Sequence, residues 1–144
     1  MRYESSLVIN APADTVFAYI SDIEKLSDWG GFRNVIRKTS DGPVGVGSTY
    51  ECDGKQFGSH TDTTTVVEYV QGKAFVSESQ GDTGHSRNSF LLEDQGGSTK
   101  VTKVLEFPKP ALTTRLAAPL LLWMAPNNLK KDLQRIKARI EGTA

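Results

Sequence analysis

The sequence predicts an α+β domain in which helices cover one face of a single antiparallel sheet. Three observations predict it: period-two alternation opens the chain, strands joined by short polar turns fill its middle, and its longest helical signal closes it. The closing signal, residues 110–141, sets the requirement that the rest must meet. Its second half places Leu129, Leu133, Ile136 and Ile140 at steps of four, three and four, with Lys130, Lys131, Arg135, Lys137 and Arg139 on other faces. Its first half, residues 116–125, is apolar nearly all round. Pro119 and Pro126 should bend or break the helix, because each removes a backbone donor and crowds the preceding turn. Such a helix needs a broad apolar surface, which the strands must supply.

Taken in order, residues 2–9 put Tyr3, Ser5, Leu7 and Ile9 on one side and Glu4, Ser6 and Val8 on the other, a strand with one mostly apolar face. Pro12 then stands where a first helical residue would, Asp14 falls in the first turn, and Val16, Phe17, Ile20 and Ile23 follow at helical spacing. A second short helix is expected over 24–28, capped by Asp22, before Trp29-Gly30-Gly31 ends the pattern. Residues 33–39 read as a strand, followed by the Asp41-Gly42-Pro43 turn and the glycine-spaced Gly45-Val46-Gly47. Segments 48–53, 59–70, 73–80, 85–93 and 99–107 are then rich in strand formers and separated by polar turns, which is an antiparallel meander. With two short helices after strand one and a long helix last, only helices are available to cover the apolar side of the sheet.

A chain of 144 residues is long enough for one domain, spanning 1–144, with one core and no staples. Seventeen basic and seventeen acidic residues cancel, so no overall field draws the protein to nucleic acid, and no nucleic-acid partner is expected. Cys52 stands alone and has no internal disulfide partner. The first dozen residues lack a charged-then-apolar leader pattern, which makes a cytoplasmic location the expectation. The apolar run 116–125 is about half of the ~20 residues that span a bilayer.

The strand ending Val8-Ile9-Asn10-Ala11-Pro12 and running into Ala13-Asp14-Thr15-Val16-Phe17, the Asp22…Leu26…Trp29 segment, and the stretch from Asp41 to Ser48 carry a resemblance. Gly97-Ser98-Thr99-Lys100-Val101-Thr102 and the run from Leu129 to Lys137 strengthen it. Together they resemble the polyketide cyclase/dehydrase and lipid-transfer group of the START-like (SRPBCC) superfamily, in the right order along essentially the whole chain. The resemblance implies a helix-grip fold: a bent seven-stranded antiparallel sheet wraps the long C-terminal helix and encloses a cavity. It implies no particular reaction, since members bind lipids, hormones, aromatic polyketides or other hydrophobic molecules and only some are enzymes.

Extending the alternation from the apolar members of each strand gives a cavity face. Strand three contributes Tyr50 and Cys52; strand four contributes Val67 and Tyr69, bringing Thr61, Thr63 and Thr65 with them. Phe75, Ser77 and Ser79 follow on strand five, Ser86, Asn88, Phe90 and Leu92 on strand six, and Val101, Lys103, Leu105 and Phe107 on strand seven. A register slip of one residue would turn any of these sets outward. In the fold that the resemblance implies, Trp29 and Phe32 are expected near the mouth, as gate or as plug. Leu116, Leu120 and Trp123 belong to a lid over the cavity.

Other chemistry is weakly signalled. His60 and His85 lie at strand starts beside Asp62 and Asp82, where solvent-exposed loop positions are the ordinary reading. Cys52 has no activating neighbour in sequence, and no spacing matches a metal-ligand motif, so neither a metal nor a cofactor is expected. Arg87 and Glu78 suit an ion pair across the outer face. Gly45-Val46-Gly47 precedes a strand, which is the wrong context for a phosphate loop. The basic face of the last helix, beside Leu120–Trp123, suits a transient membrane contact, although a solvated helix face is the commoner reading.

Three functions follow. The first is a carrier or sensor that binds a hydrophobic or amphipathic small molecule in the cavity. The alternative is a cyclase- or dehydratase-like enzyme in which Lys103, Asn88 or His85 moves a proton. A third is a protein-interaction module that presents the helix. A monomer or homodimer is expected.

Overall fold

Alternating side chains and glycine-marked turns give seven strands: β1 Arg2–Ile9, β2 Arg33–Lys38, β3 Thr49–Gly54, β4 His60–Val70, β5 Ala74–Gly81, β6 Gly84–Asp94 and β7 Thr99–Pro110. The computed structural model describes residues 2–25, 33–54, 60–81, 84–110, 112–116 and 118–142. The strands form one antiparallel sheet in the order β1-β7-β6-β5-β4-β3-β2. The meander was legible from the turns. The return of β1 to the edge beside β7, with Tyr3 opposite Leu105 and Ile9 opposite Thr99, comes from long-range pairing. Helix α1 spans Ala13–Ile20 and a 3₁₀ turn follows at Ile23–Lys25, where the second short helix was expected over 24–28, of which 26–28 lie outside the described residues; α2 (Leu112–Leu116) leads to the long α3 (Ala118–Glu141). This is the α+β helix-grip architecture, a bent seven-stranded sheet holding a C-terminal helix.

Helix α1 starts after Pro12, which occupies the cap position in extended conformation, and its end is closed by the Ser21 N–H donating to the Phe17 carbonyl at 2.9 Å. Its buried face is Val16, Phe17 and Ile20. Phe17 meets Tyr69 and Phe75 edge-on, with ring centroids 5.1 and 6.2 Å away, and Tyr69 meets Phe75 at 6.1 Å. Edge-to-face pairs of this kind contribute about 0.5–1.5 kcal/mol each beyond their buried area. They pin α1 to the strands β4 and β5.

Helix α3 packs chiefly along β1. Leu133 and Ile136 are fully buried and join the main core with Ile9, Val16, Val101 and Phe90. Ala125 and Leu129 pack with Tyr3 in a second cluster. Its far end is clamped: the Glu141 carboxylate accepts from the Asn10 backbone N–H at 2.9 Å and from Lys137, whose Nζ also donates to the Val8 carbonyl. These donors hold the Glu141 carboxyl below the usual carboxylate range, with the Lys137 contact the largest cause.

The helix expected to bend or break at two prolines does not break at Pro126. Pro119 lies in the first turn of α3, where a missing N–H has no carbonyl to leave unpaired. Through Pro126 the helix continues. Burial of Ala125 and Leu129 on either side of Pro126 outweighs the local preference to break.

Strand β4 departs from the expected alternation. Its pairing with β5 shifts between Val66 and Glu68, which leaves Val67 as an extra residue. Across this bulge the alternation inverts. Asp62, Thr64 and Val66 are buried while Thr61 and Thr63 are exposed and Thr65 is half-exposed. Thr63 and Thr65, expected in the cavity, therefore lie on the outer face.

Asp62 sits opposite Gly81 of β5, and the fit there is tight. A Cβ on Gly81 would stand 2.5 Å from the Thr61 carbonyl oxygen and 2.9 Å from the Asp62 Cα, and would overlap the Asp62 carboxylate as well. Gly81→Ala is expected to cost about 1–3 kcal/mol, since two of these contacts are backbone and cannot move aside. Urea denaturation checks this; a midpoint unchanged from the parent would mean that β4 and β5 separate easily.

Candidate ligand site

The concave face of the sheet is assembled in rows across the strands. One row is apolar and aromatic, with Tyr69, Phe75 and Phe90 in register before Lys103. The next carries Val66, Ser77, Asn88 and Leu105, and beyond it comes a polar row of Tyr50, Thr64 and Ser79. Cys52 and Asp62 face each other at the polar extreme. The expected gradient, apolar at one end and polar at the other, is present, and the bulge at Val67 supplies its polar end with Asp62 and Thr64.

Hydrogen bonding accounts for part of that polar end. The Thr64 and Ser79 hydroxyls are 2.6 Å apart, and the Cys52 thiol lies 3.6 Å from Thr64. Cys52 is a buried free thiol between the Thr64 hydroxyl and the facing Asp62 strand position, in keeping with a packing role. Tyr50 differs from its neighbours. The residue is 1% exposed, yet its hydroxyl has no hydrogen-bond partner among the described residues. Burial pushes the phenol up to about 12, and Glu24 in the 3₁₀ turn and Asp22 just before it push in the same direction by disfavouring a further negative charge. No sequence signal marks Tyr50 as unpartnered, because pairing is a property of the whole shell around it.

Lys103 is also on this face and 6% exposed. Its Nζ reaches the Asp132 carboxylate on α3 at 3.0 Å and lies 5.6 Å from the centre of the Phe90 ring. Arg135 holds the other Asp132 oxygen at 3.1 Å. Lys103 thus ties the sheet to the helix. His85 faces outward, 3.7 Å from Glu78, which also pairs with Arg87 at 3.2 Å, the cross-strand pair expected for the outer face.

The structure brings Tyr50, Cys52, Phe75, Ser77, Asn88, Phe90, Lys103 and Leu105 onto one surface, Asn88 and Leu105 being half-buried and the others buried. Trp29 and Phe32 lie outside the described residues, as does the His60 side chain. Leu116, Leu120 and Trp123 are 75%, 47% and 74% exposed, so they do not line this surface. The reason is angular: α3 turns Ala125, Leu129, Leu133 and Ile136 inward, which carries Leu120 and Trp123 away from the sheet. Among the described residues no three His, Cys, Asp or Glu side chains group as a metal ion requires, and no helix is long and apolar enough to cross a membrane.

A bent sheet gripping a C-terminal helix, with a graded face between them, defines a helix-grip domain of the START-like class. Within that class the chain belongs to the family of polyketide cyclases/dehydrases and lipid transport proteins, matched over residues 1–141. Solved structures agree in fold. The aromatase/cyclase Zhui from Streptomyces sp. R1128 superposes with a TM-score of 0.78 at 15% identity, covering 98% of this chain and 93% of that one. A START superfamily protein from Mycobacterium smegmatis gives 0.76 at 18% identity over 99% of both chains. The protein TTHA0849 from Thermus thermophilus gives 0.76 at 15% identity over 100% and 99%. No curated protein matches the chain.

Proposed function

We propose that this domain is a carrier or sensor that binds a hydrophobic or amphipathic small molecule between the concave face and α3. Its apolar body lies against Phe75 and Phe90, and a polar group accepts a hydrogen bond from Tyr50. The observation that carries this reading is the Tyr50 phenol, a fully buried donor with no partner among the described residues. Leaving such a group unpaired costs about 1–3 kcal/mol, which a ligand oxygen would recover. Asp22 and Glu24 give the phenol a negative surrounding. The acceptor is therefore a neutral oxygen, a carbonyl or hydroxyl, in preference to a carboxylate or phosphate.

Two of the three groups named for proton transfer are engaged elsewhere: Lys103 with Asp132, and His85 with Glu78 on the outer face. This favours binding over a cyclase or dehydratase reaction, although the family includes such enzymes. Native mass spectrometry of protein purified from cells should reveal a bound apolar compound, and protein stripped of it should take up neutral fluorescent lipid analogues. Protein that carries nothing and takes up no analogue would overturn the proposal.

A further inference from the structure

Eight large apolar side chains stand out into solvent among the described residues, and four of them, Leu112, Leu116, Leu120 and Trp123, fall on α2 and the first turns of α3. The other four, Val8, Val46, Val70 and Leu91, are scattered over the sheet and its turns. Leu112 and Leu116 are one turn apart on α2, and Leu120 and Trp123 one turn apart on α3. Isolated exposed leucines are ordinary; a tryptophan and three leucines concentrated in one segment are not.

Charge accompanies the patch. From Phe107 to Lys131 the chain carries Lys109, Arg115, Lys130 and Lys131 and no acidic residue, in a protein whose charges cancel over its whole length. On α3, Lys130 and Lys131 follow Leu120 and Trp123 at spacings that keep them on the same side, opposite Ala125, Leu129 and Leu133. Arg115, Lys130 and Lys131 are exposed and form no ion pair among the described residues, whereas Arg135 and Lys137 are tied to Asp132 and Glu141.

From this we propose that α2 and the outer side of α3 form a docking surface for an anionic phospholipid bilayer, with Leu112, Leu116, Leu120 and Trp123 entering the acyl boundary and Arg115, Lys130 and Lys131 meeting headgroups. The occupant follows from the chemistry of the patch. Leucines beside an interfacial tryptophan, flanked by unpaired cations on one helix face, match an anionic surface with an apolar interior, and a bilayer needs no complementary shape. A second copy of the chain is disfavoured, since a two-fold contact would set the same cations against each other.

The test is co-sedimentation of the full chain with phosphatidylcholine vesicles, with and without phosphatidylserine. Binding should favour the phosphatidylserine vesicles at low salt and weaken as salt is added. Tryptophan emission should shift to the blue on binding, and the shift should be absent in Trp123→Phe. Trp123→Ala and the pair Leu116→Ser/Leu120→Ser should each lower vesicle binding about tenfold or more. Lys130→Glu/Lys131→Glu should abolish the phosphatidylserine preference. All are surface changes, and an unaltered melting temperature verifies the fold. No association with either vesicle overturns the proposal, as does binding that these variants leave unchanged. Self-association without lipid that Trp123→Ala abolishes would also overturn it, by assigning the patch to a second copy.

Discussion

Tyr50→Phe is expected to leave the ligand-free domain at least as stable as the parent while weakening its hold on a neutral ligand roughly two- to tenfold. Most losses of a buried tyrosine hydroxyl destabilise, because a hydrogen bond goes with it. Here the hydroxyl is 1% exposed with no partner among the described residues, so its removal relieves desolvation of up to about 1–3 kcal/mol and preserves the ring's shape. The lost ligand contact is an ordinary hydrogen bond of about 0.5–1.5 kcal/mol. Alkaline pH separates the variants again. An unfolded chain ionises its tyrosines near 10.0, whereas the folded Tyr50 stays neutral until about 12. The unfolded state therefore loses this proton first. Tyr50's contribution is intact below the usual value and declines as pH rises from there towards 12. Denaturation of parent and variant across this range should show a decline in the parent that is shallower in the phenylalanine protein. A variant that loses more than about 1 kcal/mol at neutral pH would mean that the phenol is already paired, and would remove the main support for the ligand contact.

What was legible in the sequence follows the physics of each element. The stripe of Leu129, Leu133 and Ile136 is read correctly because a helix carries its buried face in its own spacing, and β1, β6 and β7 are read correctly because their alternation is unbroken where it matters. Strand β4 is not. Val66 and Val67 are equally apolar, so the pattern does not say which one is buried, and the bulge that decides it forms only when β4 pairs with β5. Choosing Val67 sends Thr63 and Thr65 inward and hides Asp62 and Thr64. Residues 116–125 fail for a different reason. A segment apolar on every side has no preferred face, so only the docking of Ala125 and Leu129 reveals that Leu120 and Trp123 point out.

Asp132→Ala is expected to be among the most damaging single changes on the helix, at about 3–5 kcal/mol, because it takes from the buried Lys103 ammonium the carboxylate 3.0 Å away. The Lys103 side chain is 7% exposed and that of Asp132 16%, so water replaces neither partner readily. The reverse change, Lys103→Met, should cost less. It leaves Asp132 still paired with the more exposed Arg135, and a flexible apolar chain takes up the volume beside Phe90. The double variant Lys103→Met/Asp132→Leu should return close to the parent or exceed it, as buried ion pairs replaced by apolar groups of similar size often do. Urea denaturation of the parent, Lys103→Met, Asp132→Leu alone and the double variant closes the cycle and yields the coupling energy. A loss below about 1 kcal/mol for Asp132→Ala would show that the pair is solvated in practice. The same double variant also tests chemistry. If Lys103 only fastens sheet to helix, a well-folded double variant will still take up the neutral lipid analogue. If Lys103 transfers a proton, the double variant will remain folded and able to bind, yet be unable to turn over a polyketide-like substrate that the parent converts. Stability and turnover would then part company at this one residue, and the cyclase reading would replace the carrier.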